Sequence, residues 1–259
     1  MIQYLIVCPL VFLAGLVDSI AGGGGLISLP GYLIAGVPAH MALGTNKMSS
    51  TIGTLVSTAR LLKHGYLKGK MVIAGISAVF AMTGSVLGAH IALRVPDSVI
   101  KHMMIVILPI VAYYVLRNKN MGENEKTGTV SKRQVGLISI AASFIIGAYD
   151  GFYGPGTGTF LILVFTGAAR LDMRTAAAQT KVINLSSNVS AFVTFILTGN
   201  VCYTLGAAAA VCSVAGHYLG AGLVVHDGHR IVRPMVLLVL AILFICNILR
   251  QQRNPALHE

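Results

Sequence analysis

Charge is what this chain has least of. Only 10% of its 259 residues are Asp, Glu, Lys or Arg, and only 8 of those are acidic. A soluble domain carries about 25% charged residues. So sparse a supply cannot cover a water-facing surface, which argues against a soluble globule of buried helices. Groups that carry chemistry are scarce as well. Cys8, Cys202, Cys212 and Cys246 all lie in apolar runs, with no CxxC pair and no Cys/His ligand spacing. They read as small packing residues. No Walker A sequence is present, so direct drive by ATP is not expected. No duplicated His, Cys or acidic cluster offers a nucleophile with its base. The sequence therefore nominates no catalytic residue, no metal site and no cofactor.

Long apolar runs are what the chain does have. Hydrophobic residues make up 55% of it, and the mean hydropathy is +0.79. They gather in Tyr4–Ala21, Met71–Leu93, Val99–Leu116, Val201–Val225 and Ile231–Leu249. Runs of about 18 residues or more suffice to cross a bilayer as helix. The fold class is thus all-α, a polytopic membrane protein. The net charge of +11 comes from Lys and Arg between the runs, as the positive-inside rule expects. The expected partner is the lipid bilayer, and nucleic acid is not one. The first run has no basic segment ahead of it, and its pattern recurs mid-chain. It reads as mature structure rather than a signal peptide.

The recurrence is a tandem duplication. "GLVDSIAGGGGL" (15–26) aligns with "GAYDGFYGPGTG" (147–158), placing Gly15, Asp18, Gly22 and Gly24 on Gly147, Asp150, Gly154 and Gly156. "TNKMSSTIGT" (45–54) falls on "QTKVINLSSN" (179–188), and "GSVLGA" (84–89) on "GHYLGA" (216–221). The expected organisation is a first membrane repeat over 1–118, a polar linker over 119–133, and a second repeat over 134–259 with a short polar C-terminal tail. Each half reads as a glycine-tipped re-entrant or half-helix pair plus three transmembrane helices. The short runs Leu26–Val37 and Thr159–Ala169 are too short to span. If the chain doubles back at the glycines, each half crosses three times and the halves are inverted. Arg60, Lys63, Lys68 and Lys70 then share a side with Arg170 and Arg174, while Arg94 and Lys101 lie opposite. If it does not, the halves are parallel and the charge bias is shallower. Inversion fits the positive-inside rule better.

Non-helical backbone at membrane depth has to be buried in protein or line a wet cavity. Gly-interrupted short runs at matching places in two halves point to a transporter binding site. The candidate substrate-binding positions are therefore Gly22, Gly23, Gly24 and Gly25 in the first tip, and Gly154, Gly156, Thr157 and Gly158 in the second. The next long helix of each half adds a polar stripe: Asn46, Lys47, Ser50, Thr51, Thr54 and Thr58, matched by Thr180, Lys181, Asn184, Ser187 and Asn188. Asn46, Lys47, Ser50, Thr180, Lys181 and Asn184, with Gln179, complete the candidate substrate-binding positions. A lysine inside such a run is costly and a functional candidate by default. Asp18 and Asp150 are the other duplicated charges. Three roles are open to them: pairing with the lysines, which leads, capping the half-helices, or carrying a coupling proton. His226 and His229 read as loop residues, and His64, His90, His102 and His217 are not duplicated in kind.

The block "GLVDSIAGGGGLISLPGYLIAGVPAHMALGTNKMSSTIGTLVSTARLLKHG" resembles the sulfite exporter TauE/SafE family of bacterial membrane proteins. "GAYDGFYGPGTGTF" followed by "AAQTKVINLSSN" is similar to that family's second repeat. The resemblance implies an inner-membrane transporter of small anions, sulfite or organosulfonates. The leading expectation is a secondary transporter of a small oxyanion by alternating access. A cation transporter using Asp18, Asp150 and backbone carbonyls is the alternative, and a membrane-embedded enzyme a second one.

Overall fold

The computed structural model describes residues 1–67, 69–100 and 130–227. Every regular element among them is α-helix. The order is α1 (Ile2–Ala21), α2 (Gly25–Ile34), α3 (Ala39–Lys63), α4 (Met71–Ala92), α5 (Lys132–Phe152), α6 (Thr157–Gly167), α7 (Met173–Leu197) and α8 (Tyr203–Asp227). Five of these, all but α2, α3 and α6, are long and apolar enough to cross a membrane. This is an integral membrane protein. The expected runs Val99–Leu116 and Ile231–Leu249 lie almost wholly or wholly outside the described residues, as does the 119–133 linker up to residue 129. His226 falls in the last turn of α8 rather than in a loop, and His229 lies outside the described residues.

The glycine tips behave as hairpin turns. Gly22 closes α1 in the left-handed conformation, φ 75°, which glycine adopts without steric cost. The chain then folds back along α1. Gly31 on α2 sits against Leu10, and the Gln3 side chain donates to the Ala35 carbonyl at 3.1 Å. In the second half, left-handed Gly156, φ 88°, opens α6. With 10 and 11 residues, α2 and α6 measure about 15 Å each, half a bilayer core. The short helices start at Gly25 and Thr157, somewhat earlier than the apolar runs alone suggest, because the tip residues themselves take helical geometry.

α3 and α7 run side by side in opposite directions. Thr45 Oγ1 near the start of α3 accepts from the Cys202 N–H just past α7. Thr58 Oγ1, two turns before the end of α3, donates to the Lys181 carbonyl early in α7. Beyond α3, the Tyr66 carbonyl accepts from Thr175 Oγ1 at the start of α7. The 64–70 and 198–202 connections therefore lie at opposite ends of the molecule. At one end, Ala39 N–H donates to Asp97 Oδ2 at 3.1 Å. At the other, Lys70 and Asp172 approach to 3.8 Å, and Asp172 caps α7 by accepting from the Thr175 N–H.

The outer helices pair in parallel and across the halves. Had they Cβ atoms, Gly84 and Gly88 of α4 would come within 2.2 Å of the Phe144 carbonyl and 1.9 Å of the Ala148 carbonyl on α5. Likewise Gly216 and Gly220 of α8 would come within 2.2 Å of the Phe12 carbonyl and 2.4 Å of the Leu16 carbonyl on α1. Small residues at four-residue spacing let membrane helices approach this closely. Val72, Val79, Leu87, Ile145 and Val211 point outward, the apolar faces a bilayer covers.

Candidate functional site

Local chain geometry sets where each charge stands. Asp18 lies one turn before the Gly22 cap of α1, and Asp150 one turn before the second tip, so both carboxylates sit where a half-helix begins. Gly24 N–H donates to Asp18 Oδ1 at 3.3 Å. Thr157 Oγ1, in the first turn of α6, donates to Asp150 Oδ1 at 2.8 Å. Helix N-termini favour negative charge, and here the chain's own carboxylates take that place.

The lysines reach these carboxylates crosswise. Lys47 of the first half contacts Asp150 of the second, Nζ to Oδ2, at 2.7 Å. Lys181 of the second half contacts Asp18 of the first at 2.7 Å. Both lysines are 3% exposed. Lys47 also donates to Asn188 Oδ1 at 2.8 Å, and Lys181 to the Asp18 backbone carbonyl. Ser187 Oγ donates to Asp150 Oδ2 at 2.6 Å. A buried charge left alone is expensive, and each of these four has a hydrogen-bonded counter-charge.

The remaining candidates divide. Asn46 on α3 and Gln179, Thr180 and Asn184 on α7 are buried, and Asn188 Nδ2 donates to Asn184 Oδ1 at 3.3 Å. Asn46 Oδ1, Gln179 Nε2 and Thr180 Oγ1 are buried with no hydrogen-bond partner. Ser50 is half-buried. Among the glycines, Gly22 and Gly158 face each other: a Cβ on Gly22 would lie 2.5 Å from the Gly158 Cα. Gly24 abuts Ala14 and Asp18 of its own hairpin, and Gly25 abuts Pro155. Gly23 has only ordinary contacts near its Cβ position, and a Cβ on Gly154 would stand 3.2 Å from Lys47 Nζ. The two tips thus meet at the centre, with the lysine–carboxylate pairs beside them.

One residue of this cluster escaped the sequence reading. His217 on α8 is 2% exposed, and its Nε2 lies 3.1 Å from Asp18 Oδ2. The signal was present in the alignment: "GHYLGA" sets His217 where "GSVLGA" has Ser85. An imidazole replacing a hydroxyl inside a duplicated frame is more informative than its lack of a twin.

Comparison with known proteins finds membrane transporters. The family model described as sulfite exporter TauE/SafE matches residues 7–246. A probable membrane transporter protein of a Sinorhizobium species is 36% identical over 230 residues, covering 88% of this chain and 85% of that protein. One from Haemophilus influenzae is 32% identical over 228 residues, 88% of each chain. A third, YfcA of Escherichia coli, is 31% identical over 232 residues, 89% of this chain and 84% of its own. No solved structure matches.

Proposed function

Since the chain belongs to the sulfite exporter TauE/SafE family of membrane transporters, we propose that it is a secondary transporter of a small oxyanion, sulfite or an organosulfonate, in the bacterial inner membrane. It works by alternating access between two inverted halves and performs no enzymatic step. The observation that carries this reading is the crossed pair of buried lysines, each held by a carboxylate from the other half.

An oxyanion arriving between the tips offers oxygens that compete with Asp18 and Asp150 for the lysine donors. Gln179 Nε2 and Thr180 Oγ1, buried on the same helix without partners, are further donors in this part of the protein. Two half-helix N-termini point there as well, the arrangement that suits anionic groups in discontinuous-helix transporters. Because each ion pair ties one half to the other, loosening it by substrate binding is also what frees the halves to move. Binding and rearrangement are then one event. Inversion is supported by the opposed α3 and α7, the doubling back of α2, and the crossed pairing of α1 with α8 and α4 with α5. The cation alternative has less to recommend it, because both aspartates are already engaged by lysine.

The test is anion binding by purified variants. Lys47→Met and Lys181→Met should each weaken sulfite binding by tenfold or more in calorimetry, about 1.4 kcal/mol. Methionine keeps length and apolar character, so insertion should survive. Unchanged affinity in both variants would show that the lysines serve packing alone.

A further inference from the structure

The two charged clusters differ in one respect. Beside Asp150 stand Ser187 and Ser85, and at the matching positions beside Asp18 stand Gly53 and His217. Ser187 Oγ donates to Asp150, and Ser85 Oγ donates to the Ser187 carbonyl at 2.7 Å. Beside Asp18 this hydroxyl pair is replaced by an imidazole and the space to hold it. A Cβ on Gly53 would lie 2.4 Å from His217 Nδ1, and a Cβ on Gly15 2.7 Å from it. Glycines on both flanking helices open a slot for this ring.

Hydrogen bonding fixes how many protons the slot holds. His217 Nδ1 is 2.9 Å from the Ser213 carbonyl, which can only accept. This contact is shorter than the 3.3 Å to Ser213 Oγ, which favours hydrogen on Nδ1. In the neutral ring that leaves Nε2 bare, its lone pair facing Asp18 Oδ2 at 3.1 Å. Two acceptors at that distance repel, so a proton belongs between them, on the ring or on the carboxyl. The cluster of Lys181, Asp18 and His217 then carries one net positive charge, whereas Lys47 with Asp150 carries none. The helices packed against α8 bring few other charges to the ring. α1 offers Asp18 and the Cys8 thiol. α3 offers Lys47, which is paired with Asp150, and Arg60, whose guanidinium is turned to the Tyr218 carbonyl and ring. α7 contributes Lys181.

We propose that His217 and Asp18 together hold one exchangeable proton in the membrane core, and that this proton travels with the anion. The inference rests on the anion-transport reading above and adds its coupling ion. The proton enters from whichever aqueous face the site is open to, and leaves to water on the other with the substrate. The only bond made and broken is an N–H or carboxyl O–H. A monoanion moved with one proton carries no net charge, so the membrane potential, worth roughly 2.3 kcal/mol per charge at 100 mV, would not act on that step.

Two measurements on the full-length protein in lipid nanodiscs test this. In the first, ring nitrogens are labelled with ¹⁵N and followed from pH 5 to 9. The His217 signal is identified by its loss in His217→Gln or in the double variant Gly53→Ser/His217→Ser, which rebuilds the hydroxyl pair found beside Asp150. The expected result is an Nδ1–H ring with a titrating proton on the Nε2 side. A neutral Nε2–H ring throughout, with Ser213 Oγ at 3.3 Å donating to Nδ1, would overturn the proposal. In the second, isethionate, a monoanion at every pH used, is bound in two buffers of different protonation enthalpy. At a pH above the titration seen in the first measurement, where the empty site has lost its proton, the wild-type protein should take up close to one proton per isethionate. Below it, where the proton is already in place, it should take up none, and affinity in the double variant should no longer vary with pH. Binding without proton uptake by the wild type at the higher pH would overturn the coupling. If the wild type binds no isethionate, the anion reading fails for that ligand, while the ring titration still decides the proton site.

Discussion

Lys47, Asp150, Ser187, Thr157 and Asn188 form one connected set of hydrogen bonds with almost no exposure to solvent. Removing a single charge from such a set leaves its partner buried and unpaired, which costs about 3–5 kcal/mol. Removing both is much cheaper. Asp150→Asn should therefore lower the melting temperature of the purified protein sharply, and the Lys47→Met/Asp150→Leu double variant should recover most of the loss. If the double variant is no more stable than the single, the pair is not what holds the α3–α5 contact. The duplicated lysines and aspartates were legible in the sequence as charges that do not belong in apolar runs. Which lysine meets which aspartate was not. Asp18 and Lys181 are 163 residues apart, and no local pattern encodes a contact that depends on how two halves interleave.

At the scale of elements, glycine plays two different parts. The tip glycines Gly22 and Gly156 adopt left-handed backbone, and the quoted motif announced them. The helical glycines of α4 and α8 act by absence of volume, and their spacing announced that too. Gly88→Val should prevent α4 from seating on α5, because even a Cβ meets the Ala148 carbonyl at 1.9 Å. Loss of monodisperse protein in detergent would be the result. Gly75, on the same helix, has nothing within 4 Å of its Cβ position. Gly75→Ala should raise stability by roughly 0.5–1 kcal/mol, seen as a higher melting temperature. Equal outcomes for the two substitutions would remove close packing as the reason for Gly88. α3 was legible by its polar stripe rather than by its hydropathy. It has as many residues as α7, 25 each, but its polar stripe makes it too hydrophilic to pass for a membrane span by composition. It is the helix that contributes Lys47 to the ion pairs and Gly53 to the histidine slot.

At the scale of the whole molecule, the described residues place unequal charge at the two ends. Lys63, Lys70, Arg170 and Arg174 gather where α3 ends and α7 begins, and Lys132 and Arg133 open α5 at that same end because α5 parallels α4. Arg94 lies at the other. From the positive-inside rule we expect the first end to be cytoplasmic. In a protein freed of its native cysteines, His64→Cys should resist a membrane-impermeant maleimide applied to intact cells, and Thr198→Cys should react. Both positions are exposed, so access depends on sidedness alone. Identical labelling would place both connections on one face and remove the opposed arrangement of the halves.

The crossed pairing also has a consequence in time. Asp18 is synthesised early, yet Lys181 follows 163 residues later and His217 199 residues later. At about 5–20 residues per second, the carboxylate waits on the order of 8–30 s for its first partner. Lys47 waits in the same way for Asp150. During that interval the first half holds a bare acid and a bare base that lipid does not tolerate. The expected consequence is a delayed assembly, in which the first half settles fully only once the second has been made.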